Sequence, residues 1–230
     1  MSKPENESET TMRRATLIVA ASIGVVAGVA GLEHGFFEML QGSTPPASLM
    51  FASMGPPCVP AQTWDACEPA MTLVPNLLLT GVLAVLLSLL VIAWSMAFVQ
   101  RQHGALGLIL LSVVLLLFGG GFFPPLFGLI SAAAATQINK PLPADARGSL
   151  VGLASRLWPW PLVLLVAWGL GQFVVGYFFN DLLQNTMGIS LPLFVAMLPL
   201  SIYAAYARDA QGQWRGTQVA PLMSGETGHR

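Results

Sequence analysis

The chain has 230 residues, 54% of them hydrophobic and only 9% charged; a water-soluble domain has about a quarter of its residues charged, so lipid is the expected solvent. A formal net charge of −1 without a long basic run leaves no electrostatic footprint for nucleic acid, and that class of partner is excluded. Two cysteines, Cys58 and Cys67, are too few for a disulfide scaffold or an iron–sulfur cluster. Their spacing is neither that of a zinc ribbon nor C-x-x-C, so no metal or cofactor is expected and one disulfide is the most they form.

Residues 1–12 are polar, with Lys3, Glu5, Glu7 and Glu9, and hold too little apolar surface to order themselves. Arg13 and Arg14 then precede an apolar run at 15–32, about 27 Å of helix and close to the thickness of the hydrocarbon layer. This is the first predicted span. A cleavable signal peptide competes with it, but the apolar run is longer than a signal peptide's. Gly24, Gly28, Gly31 and Gly35 recur at steps of three and four and form one smooth face for close helix approach.

The loop at 33–72 carries Pro45, Pro46, Pro56, Pro57, Pro60 and Pro69, too many for a long helix or a central strand. A bond between Cys58 and Cys67 would staple it, restricting the unfolded loop by about 2–3 kcal/mol. The second span, 77–98, has Thr80, Ser88 and Ser95 as its polar side chains. Hydroxyls can bond back to their own helix, so this span reads as lipid-facing scaffold.

Two further apolar runs, 105–122 and 125–138, meet at Gly119, Gly120, Gly121, Phe122, Phe123, Pro124 and Pro125. Each glycine weakens a helix by about 1 kcal/mol, and the prolines remove amide donors. The chain therefore turns, giving a hairpin that is either two short spans or re-entrant; both return it to the side it left. No lysine accompanies these glycines in a phosphate-binding pattern, so they read as a turn.

A loop follows, then an interfacial helix at about 149–158, in which Leu150, Leu153, Ala154 and Leu157 oppose Ser149, Gly152, Ser155 and Arg156. The fifth span covers 161–179 and aligns Gly169, Gln172, Gly176 and Asn180 on one face. Gln172 is expected to bond a neighbouring helix, at about 1 kcal/mol. The sixth span, 189–207, holds Pro199, where a kink is predicted. Residues 209–230 read as a flexible tail. The fold class is thus an all-α polytopic membrane protein with six apolar segments, four clear spans plus the broken hairpin. A single transmembrane domain at 13–208 lies between two tails.

Charge sets the orientation. With a returning hairpin, all ten Lys and Arg residues fall on the side of the N-terminus; with a single crossing at 105–138, six of the ten move to the other side. The positive-inside rule selects the hairpin. The expectation is a multi-pass protein of the plasma (inner) membrane with both termini cytoplasmic. The loop at 33–72 is then extracytoplasmic, where a disulfide is permitted.

No phosphate loop, nucleophile elbow, H-E-x-x-H or dinucleotide fingerprint is present, so no catalytic residue is assigned. His34, His103 and His229 are too scattered for a membrane haem. One constellation stands out. Glu33, His34 and Glu38 gather at the outer end of span one, and Gln172, Tyr177, Asn180 and Asp181 lie in the outer half of span five. Ionisable groups at membrane depth are costly to leave unpaired and mark ligand, ion or proton sites. If the glycine stripe of span one met Gly169 and Gly176, the two clusters would form one site.

Three classes of function remain. A small-solute or ion transporter or channel component is favoured by the interrupted segments. A structural or assembly subunit would dock another membrane protein, or a second copy, through its glycine stripe. A membrane-embedded enzyme or redox partner would use the outer carboxylates or the cysteines.

Overall fold

The computed structural model describes residues 12–53, 67–142 and 148–224, with side chains through Gly212. In chain order the elements are α1 (Arg14–Leu40), β1 (Met50–Ala52), β2 (Pro69–Met71), α2 (Leu77–Ala97), α3 (Gly104–Leu117), α4 (Phe123–Ala135), α5 (Ser149–Leu157), α6 (Trp160–Phe178) and α7 (Asn180–Ser224). Among the described residues four helices are long and apolar enough to cross a membrane: α1, α2, α6 and the Asn180–Gly212 part of α7. The fold is, among the described residues, all-α apart from one small ribbon. The hairpin helices α3 and α4 have 14 and 13 residues, about 21 and 20 Å of helix, short of the ~30 Å of a hydrocarbon layer. The six apolar segments therefore resolve into four candidate spans and a short helical hairpin.

The hairpin nevertheless runs between the two ends of the bundle. Its tip is pinned to the ribbon, with the Gly119 N–H donating to the Met71 carbonyl at 2.9 Å and Leu73 N–H to Leu117 at 3.1 Å. Its foot meets the start of α1, where Arg13 N–H donates to Ile138 at 3.0 Å. It also meets the α2–α3 turn, where Asn139 donates to the Gln100 carbonyl at 3.0 Å. Gly119 and Gly121 turn the chain at φ +90° and +71°, a region open to glycine. Pro124 and Pro125 then occupy the first turn of α4, where their missing N–H groups break no helical bond. The glycines end one helix and the prolines begin the next.

Three features go beyond the expectations or against them. The proline-rich loop contains an antiparallel ribbon, β1 against β2, with Phe51 opposite Ala70. A two-stranded ribbon has no central strand, so Pro69 at its edge breaks no ladder. Cys58 lies outside the described residues, and so does its expected pairing with Cys67. Second, α2 is not merely lipid-facing. Thr80, Gly81, Ala84, Ser88, Val91 and Ser95 are buried, while Leu79, Leu86, Leu89 and Leu90 face outward. Third, the last span does not start at about 189: α7 begins at Asn180, with only Phe179 between it and α6, and stays helical past Pro192 and Pro199. It stays helical through 209–224, where a loose tail is expected from sequence.

The glycine stripe of α1 decides how the bundle is built. A Cβ on Gly24 would strike Ser95, one on Gly31 would strike Ser88, and one on Gly35 would sit 2.8 Å from the Gly81 carbonyl oxygen. The stripe therefore packs on α2, not on α6. The other side of α1 packs Val19, Ile23 and Ala27 with Phe127, Leu165, Phe194 and Leu198 from α4, α6 and α7.

At the opposite end from the ribbon, α1 is capped from α7. Asp209 accepts from the backbone N–H groups of Ala15 and Thr16, each at 2.9 Å, and from the Thr16 hydroxyl at 2.7 Å. A carboxylate there satisfies otherwise orphaned donors and complements the positive end of the helix dipole. Arg13, which would oppose that dipole, turns away instead. Its guanidinium donates to the Lys140 and Pro141 carbonyls at 2.8 and 2.6 Å and lies 5.6 Å from the Tyr206 ring centroid. Burial pulls its pKa below the ordinary value, with Tyr206 and Asp209 acting in the other direction.

Candidate functional site: a cavity at the ribbon end

The last turns of α1 rise into the ribbon and carry Glu33, His34 and Glu38. His34 is 1% exposed. Its Nδ1 lies 2.7 Å from the Ser53 hydroxyl, just past β1, and its Nε2 lies 3.3 Å from Glu68 Oε2, just before β2. Gln41 donates to the Ser53 carbonyl at 2.6 Å. The end of α1 thus holds both legs of the ribbon. Above it lies the glycine turn: a Cβ on Gly121 would strike the His34 ring, and one on Gly119 would strike the Glu38 carboxyl. The three glycines are therefore a close cover over two ionisable side chains as well as a turn.

Glu38 is fully buried beneath that cover, beside the Thr80 methyl group. Among the described residues neither of its carboxyl oxygens has a hydrogen-bond partner.

Next to His34, on the side of α1 away from α2, lies a cavity of about 160 Å³. Its polar wall is Glu33 and His34 from α1, Glu68 from the ribbon, Gln172 from α6 and Ser190 from α7. Its aromatic wall is Phe123 and Phe127 from α4, Trp168 and Phe173 from α6, and Phe194 from α7. Phe127 and Phe194 meet edge to face at 5.5 Å. A groove beside Pro199 is lined only by apolar side chains, and a second one at the foot of α1 has Thr16, Gln137, Tyr203 and Tyr206 but no carboxylate or imidazole.

Of the seven residues singled out from sequence, the structure brings three, Glu33, His34 and Gln172, to this cavity. Glu38 points to the other side of α1, under Gly119. Tyr177 is 82% exposed, and Asn180 and Asp181 begin α7 outside the cavity wall. Gln172 does not cross-link helices as expected: its amide donates to the Gly169 carbonyl of its own helix, at 3.4 Å. Nor do the two small-residue stripes meet, since Gly169 faces Val26 and Phe194. Sequence reasoning missed Ser53, Glu68 and the aromatic wall. Glu68 carried a signal, because it is an acidic residue next to Cys67 in an otherwise apolar stretch. The aromatics carried none, since each reads as a lipid-facing or core residue on its own helix.

Among the described residues no group of three His, Cys, Asp or Glu side chains is arranged to hold a metal ion. Comparison with protein-family models, with curated proteins and with solved structures finds no match.

Proposed function

We propose that this is a multi-pass membrane protein that binds a small solute in the ribbon-end cavity, as a transporter or channel component. The ribbon faces outward and both chain termini are cytoplasmic. The observation that carries this reading is the cavity itself, where five polar or ionisable side chains meet an aromatic wall between four helices. An interior site at a helix interface is the usual place for a small ligand. Its 160 Å³ is close to that of engineered cavities that admit benzene, about 150 Å³. The solute therefore has about ten non-hydrogen atoms or fewer, too few for a nucleotide.

Support for the orientation comes from the cations. Arg13, Arg14, Arg101, Lys140 and Arg208 all sit at the end away from the ribbon, by their places at the foot of α1, the α2–α3 turn, the end of α4 and the lower part of α7. That end is the cytoplasmic one under the positive-inside rule. With the ribbon outside, a Cys58–Cys67 bond belongs to the same proposal. Docking through the α1 glycine stripe loses its basis, because α2 covers that stripe.

The test is ligand-induced stabilisation. A panel of amines, alcohols and carboxylic acids of up to about ten non-hydrogen atoms is screened against the purified protein in detergent. At a hundred times Kd, binding raises stability by about 2.7 kcal/mol, visible as a raised Tm. At least one class should stabilise the wild type and fail with Ala30→Phe, which fills the cavity from α1. A panel without effect, or an effect untouched by Ala30→Phe, overturns the proposal.

A further inference from the structure

We infer that the solute is a small organic monocation, a protonated amine or quaternary ammonium on a compact apolar body. The inference rests on the cavity being a solute site and adds the charge and chemical class of what it takes.

Three observations point the same way. The ionisable residues on the wall are Glu33, His34 and Glu68, two carboxyl groups against one imidazole. No Lys or Arg occurs at 15–100, 102–139 or 157–207, the stretches that contribute every lining residue. Among the described residues, Arg13, Arg14, Arg101, Lys140 and Arg208 lie at the far end of the bundle. An anionic solute would enter a wall with two carboxyl groups against one imidazole, which is unfavourable in a low-dielectric interior.

Between a neutral molecule and a cation, the aromatic wall decides. Phe123, Phe127, Trp168 and Phe194 line the same small volume as the carboxylates. Aromatic faces attract a cation through their quadrupole, most strongly where water is excluded. They also suit the apolar body of an organic cation. A bare inorganic ion finds too little here, because calcium takes six to eight oxygen ligands and magnesium sheds its water reluctantly. The polar wall supplies the side chains of Glu33, Glu68, Gln172, Ser190 and His34 and is otherwise hydrocarbon. A weakly hydrated ammonium bearing its own carbon shell does not need a full oxygen cage.

The acidic bias extends beyond the cavity. Asp181, at the start of α7, adds a further acidic side chain at the ribbon end. A one-sign mouth concentrates oppositely charged solutes and raises their rate of capture.

The experiment uses the full chain in detergent or nanodiscs and three probes of similar size: benzylamine as its ammonium form, benzyl alcohol and benzoate, at pH 7. Calorimetry should give benzylammonium an affinity at least tenfold above benzyl alcohol, with no binding of benzoate. Glu33→Gln should lower the benzylammonium affinity about tenfold and leave that for benzyl alcohol unchanged. Glu33 is partly exposed on a helix, so its isosteric replacement should fold. If Glu33→Gln is not obtained folded, the charge order of the three probes on the wild type still decides. Equal affinities for the ammonium and the alcohol, or preference for benzoate, overturn the monocation while leaving the solute site standing. Failure of all three to bind overturns both.

Discussion

The two sides of α1 are packed by different rules. Toward α2, glycine meets glycine, serine and backbone: Gly35 against the Gly81 carbonyl, Gly31 against Ser88, Gly24 against Ser95. Toward α6 and α7, one glycine, Gly169, meets the side chains of Val26 and Phe194. Without a hydrophobic force between helices in lipid, close approach depends on how far backbones can interlock. Where both partners offer small residues the gap closes completely, whereas branched and aromatic side chains hold the helices apart. Aromatic rings are rigid and fill the space between their helices incompletely, and the cavity lies on that side. The ionisable residues follow the same division, Glu38 sealed on the tight side and Glu33 and His34 on the loose one.

The largest effect should come from breaking the tight side. A Cβ on Gly81 would lie 2.5 Å from the Gly35 carbonyl oxygen and 2.6 Å from the Met39 nitrogen. Both are backbone atoms of one rigid helix, so no rotamer change relieves the overlap. Gly81→Ala should cost about 3 kcal/mol, the upper end for overpacking, read as a lowered Tm or an earlier denaturant midpoint in detergent. A loss below about 1 kcal/mol would show that α1 and α2 can slide apart freely.

A smaller loss is expected where the two sides are tied together, at the foot of α1. Asp209→Ala removes three hydrogen bonds to the first turn. Loss of a helix cap costs about 1–2 kcal/mol. Hydrogen exchange should localise the change to the amides of Ala15 and Thr16, with the ribbon-end amides unaffected. Protection lost equally at both ends would mean that the cap holds the whole bundle and not one helix terminus.

How much of this was readable in the chain depends on whether a feature is local. The long helices follow from runs of apolar residues, and the turn at Gly119–Pro125 follows from residues that cannot continue a helix. The end of α1 did not, because Glu33, His34 and Glu38 look like the exit from a membrane when in fact the ribbon and the hairpin tip bury two of them. The partner of the α1 stripe was misjudged for a related reason. Gly81, Ala84 and Ser88 on α2 form a matching small-residue face at helical spacing, yet the hydroxyls were assigned to their own helix, leaving that face unread. The cavity could not be read at all: Glu68, Trp168 and Phe194 are far apart in the chain, and only the tertiary arrangement makes them neighbours. Gln172 lines the cavity and bonds within its own helix, whereas its polarity alone points to a partner on another helix.

The smallest effect should come from the loose side, and it is the sharpest check on the contrast. Gly169 sits inside α6, where glycine weakens a helix by about 1 kcal/mol relative to alanine. A Cβ there would lie 3.0 Å from Val26 Cγ1 and 3.3 Å from the Phe194 ring. Both atoms belong to side chains, and the ring of Phe194 borders empty space in the cavity, so it has somewhere to move. The crowding and the gain in helix propensity should nearly cancel, leaving Gly169→Ala within about 0.5 kcal/mol of the wild type. Ligand affinity should respond more than stability, because the displaced ring takes its space from the cavity. A Gly169→Ala protein as unstable as Gly81→Ala would show that the two sides of α1 are equally close-packed. The cavity would then need an explanation other than the mismatch between glycine and aromatic surfaces.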